Sequence, residues 1–353
     1  MSEAVPGGET RLDAGFVNGP EGSSYVLPEP LRSALVACGL VETGQAVAGH
    51  PLTGGVSSDI WVADLETGPV CVKRALPRLR VAVVWEAPVE RSASEAAWLH
   101  RAAKVIPDGV PPLLGYDPAT RALVLGWLNP VDHPNWKTML MAGTVQPGTA
   151  AALGDLLGRF HSAMARDSTA QRDFANIALF EALRLEPYFG TTARRHPALA
   201  ERLGQLRRVF VASAATVVHG DVSPKNVLVG PRGPVLLDAE CATWGDAAFD
   251  PAFAISHLIL KARHLPALRE AFEQSASQLF AGYRAHVDWE DPAALEARTA
   301  AWVPALLLAR VDGSSPAEYL HDDVRDALRC ELPAHLHSLP ADLTRIADLW
   351  RTS

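Results

Sequence analysis

The feature that most constrains this chain is a short run of hydrogen-bonding side chains set between apolar triplets. It reads Val217-Val218-His219-Gly220-Asp221-Val222-Ser223-Pro224-Lys225-Asn226-Val227-Leu228-Val229, followed by Val235-Leu236-Leu237-Asp238-Ala239-Glu240. Residues 227–229 and 235–237 read as two strands joined by the turn Gly230-Pro231-Arg232-Gly233, so a hairpin returns Asp238 to the neighbourhood of Asp221 and Asn226. Two carboxylates and an amide oxygen meeting at a hairpin mouth suit a hard cation such as Mg²⁺, which takes oxygen ligands and keeps waters and phosphate oxygens. One carboxylate remains to receive a hydroxyl proton. The plain alternative is an Asn/Asp-rich loop that only caps turns; the joint spacing and the flanking strands weigh against it.

Up to residue 128 the pattern is strand-like and beyond it helical, with this hairpin in the middle of the helical part. With 353 residues the chain exceeds one ordinary core, so two lobes are expected. Residues 1–24 are rich in Gly, Ser, Glu and Pro and read as a flexible tail. A helix is expected over 30–38, and strand character runs from 49 to 128. Residues 60–64 and 70–73 form a hairpin through Glu66-Thr67-Gly68, and 122–125 is a short buried strand. Between them, residues 90–103 read as a helix with Ala96, Leu99 and Ala103 on one face. Asn129-Pro130 marks the boundary, giving a strand-rich lobe over 25–128 and a mainly helical lobe over 129–353. Helices are expected over 150–165, 199–214 and from 251 onward. The fold class is α+β.

His-Gly-Asp-x-x-x-x-Asn followed by Leu-Asp-x-Glu resembles the aminoglycoside phosphotransferase family, the wider group that includes choline, homoserine and methylthioribose kinases. Protein kinases share its Asp-to-Asn spacing more distantly. The resemblance implies a bilobal protein-kinase-like fold and an ATP- and Mg²⁺-dependent enzyme that phosphorylates a small-molecule hydroxyl. By position, Asp221 orients and deprotonates the acceptor, Asn226 and Asp238 hold Mg²⁺, and His219 ties down the loop. Lys73 takes the place of the lysine on the α- and β-phosphates. Its partner is Glu95, in Ser94-Glu95-Ala96-Ala97-Trp98-Leu99, with Glu90 as a competitor and a solvated helix face as the plain alternative for either.

Gly54 and Gly55, with Ser57 and Ser58, stand where a loop would cover phosphates. The backbone of Leu125, Gly126, Trp127 and Leu128 would meet adenine. Lys225 either reaches the transferred phosphoryl group or is an exposed loop lysine. Arg310-Val311-Asp312-Gly313-Ser314-Ser315-Pro316 lies near the acceptor or simply caps a helix. His335 and His337 read as surface residues. No Asp-Phe-Gly or Ala-Pro-Glu segment follows Asp238, which disfavours a polypeptide acceptor. A sugar, an aminoglycoside or nucleoside antibiotic, and a methylthioribose-like metabolite remain open. Glu240, Asp246 and Asp250 are the carboxylates available to a polycationic aminoglycoside. A catalytically silent nucleotide-binding module is the alternative in another functional class.

The net charge of −8 offers no footprint for nucleic acid or an anionic membrane. Cys38, Cys71, Cys241 and Cys330 are widely spaced and read as reduced, mostly buried thiols. No signal peptide or spanning segment is visible, so a cytoplasmic protein is expected. Oligomeric state is not legible.

Overall fold

A computed structural model describes residues 25–52, 57–78 and 87–351. The expected tail over 1–24, and Gly54 and Gly55, lie outside the described residues.

The first lobe is a six-stranded antiparallel sheet in the order β1-β2-β3-β4-β6-β5. Its strands are β1 (Tyr25–Val26), β2 (Ala48–Pro51), β3 (Ser58–Leu65), β4 (Gly68–Ala75), β5 (Leu113–Asp117) and β6 (Ala122–Gly126). Alternation along β4 assigns its two faces. Val70 and Val72 pack with Ala63, Ala122 and Val124 beneath Leu31, Ala34 and Leu35 of α1 (Glu29–Ala37). The opposite parity sends Lys73 toward α2 (Arg91–Val105), with Ile60 and Leu123 as its ladder neighbours.

Helix α2 joins the lobes. Its Ala96, Trp98 and Leu99 belong to the same core as Leu123 and Leu125 of the sheet and Leu153, Leu157 and Phe160 of the second lobe. The Trp98 and Phe160 rings lie 4.9 Å apart.

The second lobe holds α3 (Trp136–Met141), α4 (Pro147–Arg166), the short α5 (Ala170–Asp173), α6 (Ile177–Phe180) and α7 (Thr191–Arg195), then α8 (Ala200–Ala212), α9 (Phe249–His264), α10 (Arg269–Arg284), α11 (Pro292–Asp312) and α12 (Asp322–His337). Helices α4 and α10 lie backbone to backbone. A Cβ on Gly154 would stand 1.9 Å from the Leu279 carbonyl oxygen, and one on Gly282 would stand 2.6 Å from that of Ala151. Glycine at both points lets the helices approach this closely.

Hairpin β8 (Val227–Gly230) and β9 (Gly233–Leu236) stands in the middle of this lobe, pairing Val227 with Leu236. The helix expected to reach 214 ends at Ala212, because Ala214 opens β7 (Ala214–Val218). Strand β7 pairs with β10 (Thr243–Asp246), a segment for which no element is expected from its residues. Neither β10 nor β5 carries a long alternating run. Each is held by its partner strand rather than by local propensity. Glu181–Gly190 is π-helical and contains Pro187, which has no N–H to give a regular ladder. Among the thiols, Cys241 is buried, Cys38 and Cys71 are half-buried, and Cys330 is exposed, against the expectation that most would be buried. Among the described residues no helix is long and apolar enough to cross a membrane.

Candidate active site

Strand β7 runs into the loop 219–226, and the N-terminus of α9 fixes that loop. The Asp250 carboxylate accepts the backbone N–H groups of His219 at 2.6 Å and Gly220 at 2.8 Å, and His161 Nε2 lies 3.2 Å from it. Gly220 has φ +78°, and a Cβ there would meet the Phe180 ring at 2.7 Å. Only glycine fits both demands.

His219 is buried and bonded at both ring nitrogens. Nδ1 accepts the Asp221 N–H at 3.2 Å, so Nε2 carries the proton and donates to the Leu237 carbonyl at 3.1 Å. Burial holds its pKa below the usual histidine value. A neutral ring with both nitrogens occupied ties the loop to the hairpin and has no free position for proton transfer.

Asp221 is 4% exposed. Burial opposes its charge, but Arg184, whose Nη2 lies 2.7 Å from Oδ2, and then Lys225 hold its carboxyl well below the usual carboxylate range. Arg184 Nε also donates to the Gly220 carbonyl at 2.8 Å. Lys225 Nζ is 3.4 Å from Asp221 Oδ2 and its side chain is 59% exposed.

Asn226 Nδ2 donates to the Asp221 carbonyl at 3.1 Å, which leaves the amide oxygen as its outward acceptor, and its own carbonyl accepts the Leu237 N–H at 2.9 Å. The next residue, Asp238, has φ +67°. A left-handed aspartate costs of order 1–3 kcal/mol and persists where the surroundings fix it. Lys73 does so here: its ammonium bonds Asp238 Oδ1 and both Glu95 oxygens, at 2.8 and 2.7 Å. Burial works against that ammonium, yet Asp238 and Glu95 hold its pKa above the lysine value. Burial also pushes the Glu95 carboxyl up to about 7 against the pull of Lys73. Glu90 lies 3.6 Å from Arg121 at the surface instead.

Leu52, Ile60, Val62, Cys71 and Trp127 form a small apolar cluster next to the end of β6, where Trp127 and Leu128 leave the ladder. Leu125 lies inside β6 and is buried. The carbonyl of Ser57 accepts from Leu76 N–H and Arg91, and Ser58 is buried with no partner for its hydroxyl among the described residues.

Glu240, Asp246 and Asp250 are all committed internally. Glu240 accepts from Arg91 Nε at 2.9 Å. Asp246 accepts from Arg298 and Trp302 at 3.1 Å each, and Asp250 holds the loop. They therefore do not form a carboxylate cluster for a polycation.

Two arginines of this site escaped the sequence reading. Arg184 lies between Leu183 and Leu185 in an apolar stretch, where a charge calls for a buried partner. Arg91 opens α2, at the helix end that disfavours cations, and that misplacement was its signal.

A model of the phosphotransferase enzyme family matches residues 49–289. The chain is similar to the methylthioribose kinase of Pectobacterium carotovorum subsp. carotovorum, 26% identical over 268 residues, covering 68% of this chain and 66% of that one. It is also similar to that of Pectobacterium atrosepticum, 28% identical over 235 residues, covering 59% and 58%. The chain thus spans less than two thirds of the length of these relatives. Among solved structures, Plasmodium vivax ethanolamine kinase aligns with TM-score 0.54 and 10% identity over 88% of this chain and 87% of that one. A choline/ethanolamine kinase family protein from Mesorhizobium loti aligns with TM-score 0.50 and 16% identity over 91% and 98%. These likenesses show the fold: bilobal and protein-kinase-like.

Proposed function

The chain belongs to the phosphotransferase enzyme family, and we propose that it transfers the γ-phosphoryl group of ATP to a hydroxyl of a small molecule. Residues 25–128 form the nucleotide lobe, and 129–353 carry the catalytic loop and the acceptor site. The observation that carries this reading is the meeting of Lys73, from the sheet, with Asp238 at the mouth of the hairpin that begins beside Asp221 and Asn226.

The acceptor oxygen attacks the γ-phosphorus while the bond to the β,γ-bridging oxygen breaks. ADP leaves with that electron pair, and the hydroxyl proton passes to the Asp221 carboxylate. Arg184 keeps that carboxylate ionised and aimed. Lys73, set by Glu95, faces the α- and β-phosphates, and Lys225 approaches the transferred group. The apolar cluster around Trp127 receives adenine at the backbone of Leu125 to Leu128. Ser57 and Ser58 border the phosphates.

The donor set suits Mg²⁺: an amide oxygen from Asn226 and a carboxylate from Asp238. The ion asks only one or two protein ligands when phosphates and waters supply the rest. When bound it neutralises phosphate charge. The acceptor classes are a sugar, an aminoglycoside or nucleoside antibiotic, or a methylthioribose-like metabolite, the last favoured by the methylthioribose kinases among the relatives. The cytoplasm is the location where such an enzyme meets ATP.

Asp221→Asn tests the assignment. ADP release with the best acceptor of a sugar, aminoglycoside and nucleoside panel should fall on the order of 10²–10⁴-fold. Calorimetry should show ATP still binding. Turnover close to wild type would remove Asp221 from the base role, and ATP binding without turnover in the wild type across the panel would favour a silent module.

A further inference from the structure

Beyond Asp221 the second lobe carries a second group of charges that the chemistry above does not use. Arg184, paired with Asp221, lies over the Tyr188 ring at 5.9 Å, and Tyr188 meets Phe253 of α9 at 5.8 Å. The Phe253 and His257 rings meet at 5.2 Å, tilted by 50°, and Lys261 follows one helical turn later on the same face. Lys261 is 1% exposed. Its ammonium lies over the Tyr319 ring at 5.1 Å and has no hydrogen bond or ion pair among the described residues. Arg310, at the end of α11, bonds the Ser315 hydroxyl at 2.8 Å through Nη1, but its Nε is buried without a partner, as is the Tyr319 hydroxyl. The group closes back on the catalytic loop through α3. Lys137 Nζ bonds Glu318 at 2.6 Å, and Asn135, which caps the same helix, donates to the Lys225 carbonyl at 2.7 Å.

Five cationic side chains (Lys137, Arg184, Lys225, Lys261 and Arg310) therefore border this region, against two carboxylates, Asp221 and Glu318. Each carboxylate already has a cation. The unanswered atoms include three that can donate, the Lys261 ammonium, the Arg310 Nε–H and the Tyr319 phenol, with His264 Nδ1 also unpartnered beside the Tyr319 ring. A buried donor without an acceptor is costly, and a buried ammonium without an anion more so. Burial, with Lys137 and Arg310 nearby, pulls Lys261 down to about 7. The same causes, with Arg310 and Lys261 as neighbours, hold His257 far below its usual value and neutral.

We propose, on the footing of the phosphotransferase reading, that the acceptor carries an oxyanion, carboxylate or phosphate, besides the hydroxyl it presents to Asp221, and that Lys261, Arg310 and Tyr319 receive it. A charge-assisted bond to each donor satisfies what the protein alone leaves unsatisfied. A polyamine would meet these same cations, while Glu240, Asp246 and Asp250 are spent elsewhere.

The test uses the full chain with ATP, Mg²⁺ and four probes: D-gluconate, glucose 6-phosphate, neutral sorbitol and kanamycin. At least one anion should show kcat/KM ten or more times that of sorbitol, the two anions distinguishing carboxylate from phosphate. Lys261→Met should raise KM for that anion about 10- to 100-fold while changing KM for sorbitol less than threefold. Tyr319→Phe, a smaller change, should raise it severalfold. Preference for sorbitol or kanamycin, or a Lys261→Met effect equal on all acceptors, overturns the proposal and leaves the phosphotransferase reading intact. Should no probe be phosphorylated, that reading is what fails for these compounds. Calorimetry of gluconate and glucose 6-phosphate against Asp221→Asn protein then decides the anion site alone: binding abolished by Lys261→Met supports it, and no binding of either anion overturns it.

Discussion

Two regions of the molecule, one around Lys73 and one around Lys261, handle buried charge in opposite ways. At the Lys73 end each charge has an opposite neighbour: Lys73 with Glu95 and Asp238, Arg91 with Glu240, Arg184 with Asp221. At the Lys261 end the cations exceed the carboxylates, and three donors have no acceptor among the described residues. Matched charge fixes geometry in advance, which phosphoryl transfer requires. Unmatched charge holds binding energy that only a ligand releases.

The contrast can be broken most severely at Lys73. Lys73→Met leaves Glu95 and Asp238 facing each other, and loss of one partner of a buried pair costs about 3–5 kcal/mol. Urea melts should show it. Glu95 already has a raised folded pKa, so its contribution to stability is present below its unfolded value of 4.5 and is lost as pH rises through about 7. The deficit of the variant should therefore be larger at pH 8 than at pH 5. A deficit below 1 kcal/mol at both would mean that the pairing is not what holds this end.

Arg184→Met probes Asp221 itself. With its carboxyl held below the ordinary 3.8, wild-type Asp221 stays ionised as pH falls through that value, and on the proposed mechanism turnover is lost only below it. Without the guanidinium, burial dominates and the acidic limb of kcat/KM should climb by roughly 1–3 pH units. An unmoved limb would show that Arg184 does not tune the base.

The smallest effect is expected at the rim. Lys137→Met breaks a pair whose glutamate is 46% exposed, so stability should change by less than about 1 kcal/mol. Freed of Lys137, Glu318 offsets the neighbouring cations, and affinity for an anionic acceptor should weaken on the order of twofold to fivefold. Tighter binding in this variant would contradict the charge balance drawn for that end.

The sequence showed what was local. Residues 219–240 lie on one loop and one hairpin, so the nearness of Asp221, Asn226 and Asp238 needed no tertiary information. Alternation along β4 and the apolar face of α2 likewise made a strand and a helix legible. Arg184 sits 37 positions before Asp221, in a π-helical turn that follows neither the 3.6 nor the 2.0 period. Lys261, Arg310, Tyr319 and Lys137 come from α9, α11, the segment after it and α3, and only packing brings them together. The run 310–316, read as a cap or an acceptor loop, anchors Arg310 through Ser315. His335 pairs with Asp348 at 3.0 Å near the surface.

Arg91 carries a mechanical consequence. A guanidinium has five N–H donors, and here each has its own acceptor: Glu240 on Nε, the carbonyls of Ala87 and Pro88 on Nη1, and those of Ser57 and Leu76 on Nη2. One side chain thus rivets the strand after the glycine pair, the start of α2 and the catalytic hairpin. Four of these acceptors belong to the same lobe as Arg91, so the two lobes cannot part at this point without separating Nε from Glu240, the one acceptor that the second lobe contributes.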